Sequence, residues 1–183
     1  MTKVYLNAGH DELELKGTYD YDPGAVNEEM GLYENEIALA VGKLVDHYLS
    51  LAGCEVKLLQ SESLHRIYDE ANDWGADLFI SIHCNAFNGI ASGVETLTYP
   101  SDFEGYRLAG AIQHQITDTF PELTNRGLKA RTDLAVLNGT DMPAVLVEMA
   151  FIDNEKDAVL LRDRQDDFAR AIARGVTDYL SEN

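Results

Sequence analysis

Two short runs, DLFISIHCN (residues 77–85) and MPAVLVEMAF (residues 142–151), are apolar almost throughout. They are far too short to cross a membrane as helices. An unbroken apolar run rich in β-branched residues is the pattern of a strand covered on both faces, as at the centre of a parallel sheet. Around these runs the period changes. Ile37, Val41, Leu44, Val45, Tyr48 and Leu49 recur at three- and four-residue spacing and predict a helix over residues 31–51. Leu64, Ile67, Tyr68 and Ala71 share one face of a second helix, residues 61–74. Leu108, Ala109, Ile112, Ile116 and Phe120 line a third, residues 103–120. A short helix over residues 154–161 precedes a last one, residues 166–180, built on Phe168, Ile172, Val176 and Tyr179. KVYLNAGH, EVKLLQS and GVETLTYP read as further strands, and RGLKARTDLAVLN as an irregular extended segment. Residues 11–30 form a polar stretch long enough for a functional loop. Strands alternating with helices predict an α/β fold, a mostly parallel sheet with helices on both faces. No repeat or linker interrupts it, so residues 1–183 are expected to form one domain.

The chain has 32 acidic and 14 basic residues, a net charge of −18. That excludes a nucleic-acid partner, which needs a basic footprint. It also excludes attachment to a polyanionic surface by charge alone. No stretch approaches a transmembrane helix, and the first ten residues lack a signal peptide's apolar centre. Cys54 and Cys84 flank opposite ends of predicted parallel strands, on the order of 20 Å apart, beyond the reach of a disulfide.

Ligands of open α/β sheets bind beyond the carboxyl ends of the strands. His10 follows the first strand, His83 ends the third, and Glu148 lies near the end of AVLVE. His47, His65 and His114 sit off the apolar faces of their helices and are expected in solvent. Glu34 shares the buried stripe with Ile37 and Val41, although electrostatics at a helix start needs no inward carboxylate. Two histidines and one carboxylate form a common catalytic zinc set with an open fourth position. The other reading keeps both histidines as structural strand-end residues. Cys84 points to the opposite face from His83 and is assigned to the core. Glu148, charged within an apolar strand, also has two readings. It is a proton-transfer group beside a metal, or a carboxylate buried against a base such as Arg131.

The segments VYLNAGH, YENEIALAV, ADLFISIHCNA, SGVETLTY and NRGLKARTDLAVLNGTDMPAVLVEMAFIDN, with the closing helix, fall in the order seen in zinc-dependent N-acetylmuramoyl-L-alanine amidases of the type-3 class. The chain resembles that family over about residues 3–181. The resemblance implies a six-stranded mixed sheet and a zinc cleft at the strand ends. It carries the zinc ligands onto His10, Glu34 and His83, and the catalytic carboxylate onto Glu148. Asn85 and Glu95, at matching positions, are expected with Arg131 to line the substrate site. The implied reaction cleaves the amide between the lactyl group of N-acetylmuramic acid and L-alanine of the peptidoglycan stem peptide. The implied setting is the bacterial cell wall, as a phage lysin, an autolysin or a sporulation enzyme, with a separate wall-targeting module. A zinc peptidase for another amide, or a non-catalytic wall-binding homologue, is the alternative. One departure is local: the family's Asp-Ala-Gly-His-Gly-Gly is replaced by Asn7, Ala8, Gly9, His10, Asp11 and Glu12.

Overall fold

A computed structural model of the chain describes residues 1–12, 16 and 21–182. Six strands form the main sheet: β1 (Lys3–Ala8), β4 (Glu55–Gln60), β5 (Leu78–Asn85), β6 (Val94–Thr98), β7 (Asn125–Ala130) and β8 (Ala144–Phe151). Their order is β4-β1-β5-β8-β6-β7. Neighbours pair in parallel except β6 and β8, which run antiparallel. The fold is therefore the expected α/β mixed, mostly parallel sheet.

Side-chain alternation sends the two sheet faces to different helices. Val4, Leu6, Ile80, Ile82, Val145 and Val147 face one layer. That layer is α1 (Glu34–Leu51), α3 (Phe103–Thr119) and α6 (Gln165–Ser181). Tyr5, Phe79, Ala144 and Leu146 face the other, α2 (Leu64–Trp74) and α4 (Ala135–Asn138). α5 (Glu155–Asp163) follows β8 directly. His83 is offset by four residues from Phe79, and Glu148 by two from Leu146, so both project on the α2/α4 face. On that face buried polar Asn7 and Ser81 follow the apolar Tyr5 and Phe79 along their strands. Ser81 Oγ donates to Asn7 Oδ1 at 2.7 Å in this layer.

Three elements depart from the sequence expectations. Residues 11–30 were expected as one long loop; residues 13–15 and 17–20 of it lie outside the described residues. Its described part enters a small antiparallel pair, β2 (Val26–Asn27) with β3 (Leu32–Tyr33), which delays α1 until Glu34. The segment read as irregular is β7 followed by α4, because β6 offers β7 a parallel edge that local pattern does not reveal. Leu64, expected inward, is 47 % exposed at the first position of α2, where Ile67 and Ala71 are the buried residues.

The helix layer packs closely at Gly175 of α6. A Cβ there would stand 2.5 Å from Ile112 Cα on α3. Glycine to alanine in a helix interior ordinarily stabilises by up to about 1 kcal/mol. Here the overlap with fixed backbone reverses the sign, and Gly175→Ala is expected to destabilise by about 1–3 kcal/mol. Denaturant unfolding reads the difference; a more stable variant would contradict this packing.

Candidate metal centre and active site

Glu34 is the first residue of α1, only 3 % exposed, and it stands at the carboxyl end of β5. Its Oε1 accepts from the Cys84 backbone N–H at 3.0 Å, and its Oε2 from the Ala25 N–H at 2.8 Å. His83 Nδ1 stands 2.9 Å from Oε1 and His10 Nε2 3.1 Å from Oε2. Burial pushes the Glu34 carboxyl up, but the hydrogen bonds and charges of the two imidazoles outweigh it. Glu34 is therefore held well below the ordinary carboxylate range. The His10 imidazole feels the same contact from the other side. Burial lowers it, while Glu34 and Asp22 raise it to a net position above its ordinary value.

His10 adopts φ 65°, the one non-glycine residue with positive φ among the described residues. Such a conformation costs about 1–3 kcal/mol and persists only where surroundings impose it. The surroundings are a pair of backbone clamps. The Asp11 N–H donates to Asp22 O at 3.1 Å, and the Asp22 N–H donates to Asp11 Oδ2 at 2.6 Å. Asp22 Oδ2 then lies 3.5 Å from His10 Nδ1, which leaves Nε2 aimed at Glu34. Two glycines make the cluster possible. A Cβ at Gly9 would occupy the space of the His83 ring, and one at Gly24 would meet His10 and Glu34.

The donor atoms of His10, Glu34 and His83 all lie within 4.8 Å of one another. Tetrahedral zinc bound at about 2.0–2.2 Å sets its ligands a little over 3 Å apart, so the cluster needs only small shifts to hold the ion. The donor set, two imidazoles and one ionised carboxylate, is of the right chemistry. Cys84 takes no part. It is 3 % exposed in the core, its backbone serves Glu34, and burial followed by the Glu34 and Glu148 carboxylates pushes its thiol far up.

Glu148 pairs in register with His83 across β5 and β8, and with Glu95 across β6 and β8. Its Oε2 is buried and has no hydrogen-bond partner among the described residues. Burial pushes its carboxyl up to about 7, opposed by His83 and reinforced by Glu34 and Glu95. Arg131, weighed as its partner, binds Asp133 instead, at 2.6 and 2.7 Å through two nitrogens, on the surface. The base that does enter the site is Arg126, at the second position of β7. It donates to Glu95 Oε2 at 2.9 Å, while Asn85 Nδ2 donates to Glu95 Oε1 at 3.0 Å. Glu95 is thereby fully engaged and Glu148 is not. His47, His65 and His114 are exposed, as expected.

A cleft of about 370 Å³ opens beside His10 and His83 towards α2 and α4, walled by Leu64, Ile67, Leu134, Val136 and Leu146 with Ser61 and Asp133 at its polar positions. Asp22 and this wall were not foreseen. Asp22 lies in the DPGAV segment and could have been sought there; the wall joins segments distant in sequence.

In the metal-free protein, ionising Glu148 costs stability. The unfolded carboxyl loses its proton near the ordinary value of 4.5, and the folded one only near 7. Stability is therefore lost as pH rises between those values, by about 3 kcal/mol in total above the upper one. Metal-stripped Glu148→Gln should be more stable than metal-stripped parent at pH 8, with the gap closing by pH 4.5. An equal gap at both pH values in denaturant unfolding would refute this environment for Glu148.

The family described as N-acetylmuramoyl-L-alanine amidase matches residues 4–178. YqiI, an uncharacterized protein of Bacillus subtilis, is 36 % identical over 98 % of this chain and 85 % of its own length. The endolysin of Bacillus phage SPP1 is 34 % identical over 98 % of this chain, which spans 65 % of that protein. The solved structure of N-acetylmuramoyl-L-alanine amidase AmiC2 of Nostoc punctiforme superposes with a TM-score of 0.87, at 29 % identity, over 98 % of this chain and 97 % of that one. The chain belongs to the N-acetylmuramoyl-L-alanine amidase family.

Proposed function

We propose that the protein is a peptidoglycan hydrolase, a zinc-dependent N-acetylmuramoyl-L-alanine amidase. It cleaves the amide between the lactyl group of N-acetylmuramic acid and L-alanine of the stem peptide. Residues 1–183 act as one catalytic domain at the bacterial cell wall. The observation that carries the reading is Glu148: a carboxylate with one unpartnered buried oxygen, in register with His83 of the His10–Glu34–His83 cluster.

His10, Glu34 and His83 would hold the ion. Zinc there would supply Lewis acidity to the lactyl carbonyl and a water made nucleophilic near neutral pH. Glu148 takes the proton of the attacking water at its free oxygen. It then delivers that proton to the departing amine of L-alanine, so that a neutral amine leaves. A carboxyl raised by burial suits both halves of this transfer. Asp22 holds the His10 ring in orientation, and the Gly9 and Gly24 backbones leave room for both imidazoles. Arg126 and Asn85 engage both oxygens of Glu95, which leaves Glu148 as the proton carrier. Asn85, Glu95 and the cleft beside α2 line the substrate path, and Arg131 with Asp133 stands at its rim. A net charge of −18 gives no attraction to a polyanionic wall, so wall attachment falls to a separate targeting module. Among the described residues no helix is long and apolar enough to cross a membrane.

Digestion of purified peptidoglycan tests the reaction. New amine is expected on L-alanine; amine or acid released from D-alanine or the diamino acid would assign another bond. Glu148→Gln should lower turnover by about 10²–10⁴-fold while the protein keeps its zinc, whereas His83→Ala should lose zinc as well as activity. A Glu148→Gln protein that digests walls at the parent's rate would remove Glu148 from the mechanism.

A further inference from the structure

The loop from β5 to β6, residues 86–93, begins three residues after His83. It carries Phe87, 78 % exposed, and Ile90, 81 % exposed. Apart from Met1, these are the most exposed large apolar side chains among the described residues. Isolated apolar side chains on a surface are ordinary. These two differ because the backbone beneath them is tied in place. Asp153 Oδ2 accepts from both the Phe87 and Gly89 N–H groups at 2.9 Å. Asn88 Oδ1 accepts from the Ile90 and Ala91 N–H groups at 3.0 and 2.9 Å, and Asn154 Nδ2 donates to Ile90 O at 3.2 Å. Where the loop meets β6, Ser92 Oγ and the Gly93 N–H both bind buried Asp157 at 2.8 Å. The apolar pair is thus held in solvent by a fixed frame, and a ligand need not supply the ordering cost.

Position indicates the ligand. Phe87 is four residues beyond His83, so chain length alone keeps it within about 14 Å of the metal cluster. The cleft beside α2 and α4 is lined by His10 and His83 but by no residue of this loop, and it suits one arm of the scissile amide. The other arm is a muramoyl sugar, from which the glycan strand continues in both directions. A continuing polymer needs an open ridge, not a pocket. Pyranose rings present C–H-rich faces that pack on aromatic and aliphatic side chains. They are uncharged, so the acidic surface does not repel them.

From this placement we infer that Phe87 and Ile90 form a glycan-strand contact, packing on the sugars that flank the muramoyl residue whose amide is cleaved. The inference rests on the amidase reading. Its test compares two substrates: soluble uncross-linked glycan chains bearing stem peptides, and a single N-acetylmuramoyl peptide. Phe87→Ala, alone and with Ile90→Ala, should lower kcat/KM on the chains roughly tenfold, the worth of one aromatic packing contact. The loss should appear in KM. The single muramoyl peptide should be turned over as by the parent, zinc content and melting temperature should not change, and Phe87→Trp should restore the chains. Asp153→Ala, which releases the loop, should reproduce the selective loss. Equal losses on both substrates would overturn the inference, as would full activity of the variants on the chains, the result expected of a protein-docking loop. A parent that frees L-alanine amine from neither substrate would overturn the amidase reading and this inference with it. An active parent with unaffected variants would overturn this inference alone.

Discussion

The contact on which the site depends is the seat of Glu34. Its two oxygens receive two backbone N–H groups, from Ala25 and Cys84, and face two imidazoles. One carboxylate therefore joins the start of α1, the end of β5, the segment before β2 and the loop after β1. An isolated buried charge would be costly, but here each oxygen is met by a donor and a cationic or metal-binding group. The strained φ of His10 and the two close glycines fall into place around that centre.

Glu34 and Glu148 are both acids at the same end of the sheet, and their surroundings push them in opposite directions. Glu34 gains hydrogen bonds and stays ionised; Glu148 is buried without them and is drawn towards its protonated form. That division suits the roles proposed for them, a ligand that keeps its charge and a carrier that takes up and releases a proton. Glu95, a third acid in the same row, has one oxygen taken by Arg126 and the other by Asn85.

The fold class was legible because the central strands announce themselves. Residues 78–85 and 144–151 are apolar runs that only a covered sheet explains, and α1, α3 and α6 have clear apolar faces. Glu34 was legible as a polar residue on such a face, and His83 and Glu148 as polar residues closing buried strands. β7 was not, since its side chains are largely half-buried or exposed and its pairing with β6 is a tertiary fact. The β2/β3 pair was hidden by its two-residue strands. That Arg131 leaves Glu148 unpaired could not be read from sequence, because folding turns Arg131 to Asp133 and Arg126 to Glu95. The cleft wall was illegible for a similar reason, as α2 and the segment before α4 meet only after folding.

The central claim is that two imidazoles and one carboxylate hold a single zinc, with Glu148 beside it and Cys84 excluded. X-ray absorption at the zinc edge of the purified, zinc-loaded protein reads that directly. The account predicts nitrogen and oxygen ligands only, at about 2.0–2.2 Å, with the multiple-scattering pattern of two imidazoles. It also predicts a spectrum unchanged in Glu148→Gln and degraded in Glu34→Ala. A sulfur ligand near about 2.3 Å, or a spectrum that loses an oxygen in Glu148→Gln, would contradict it.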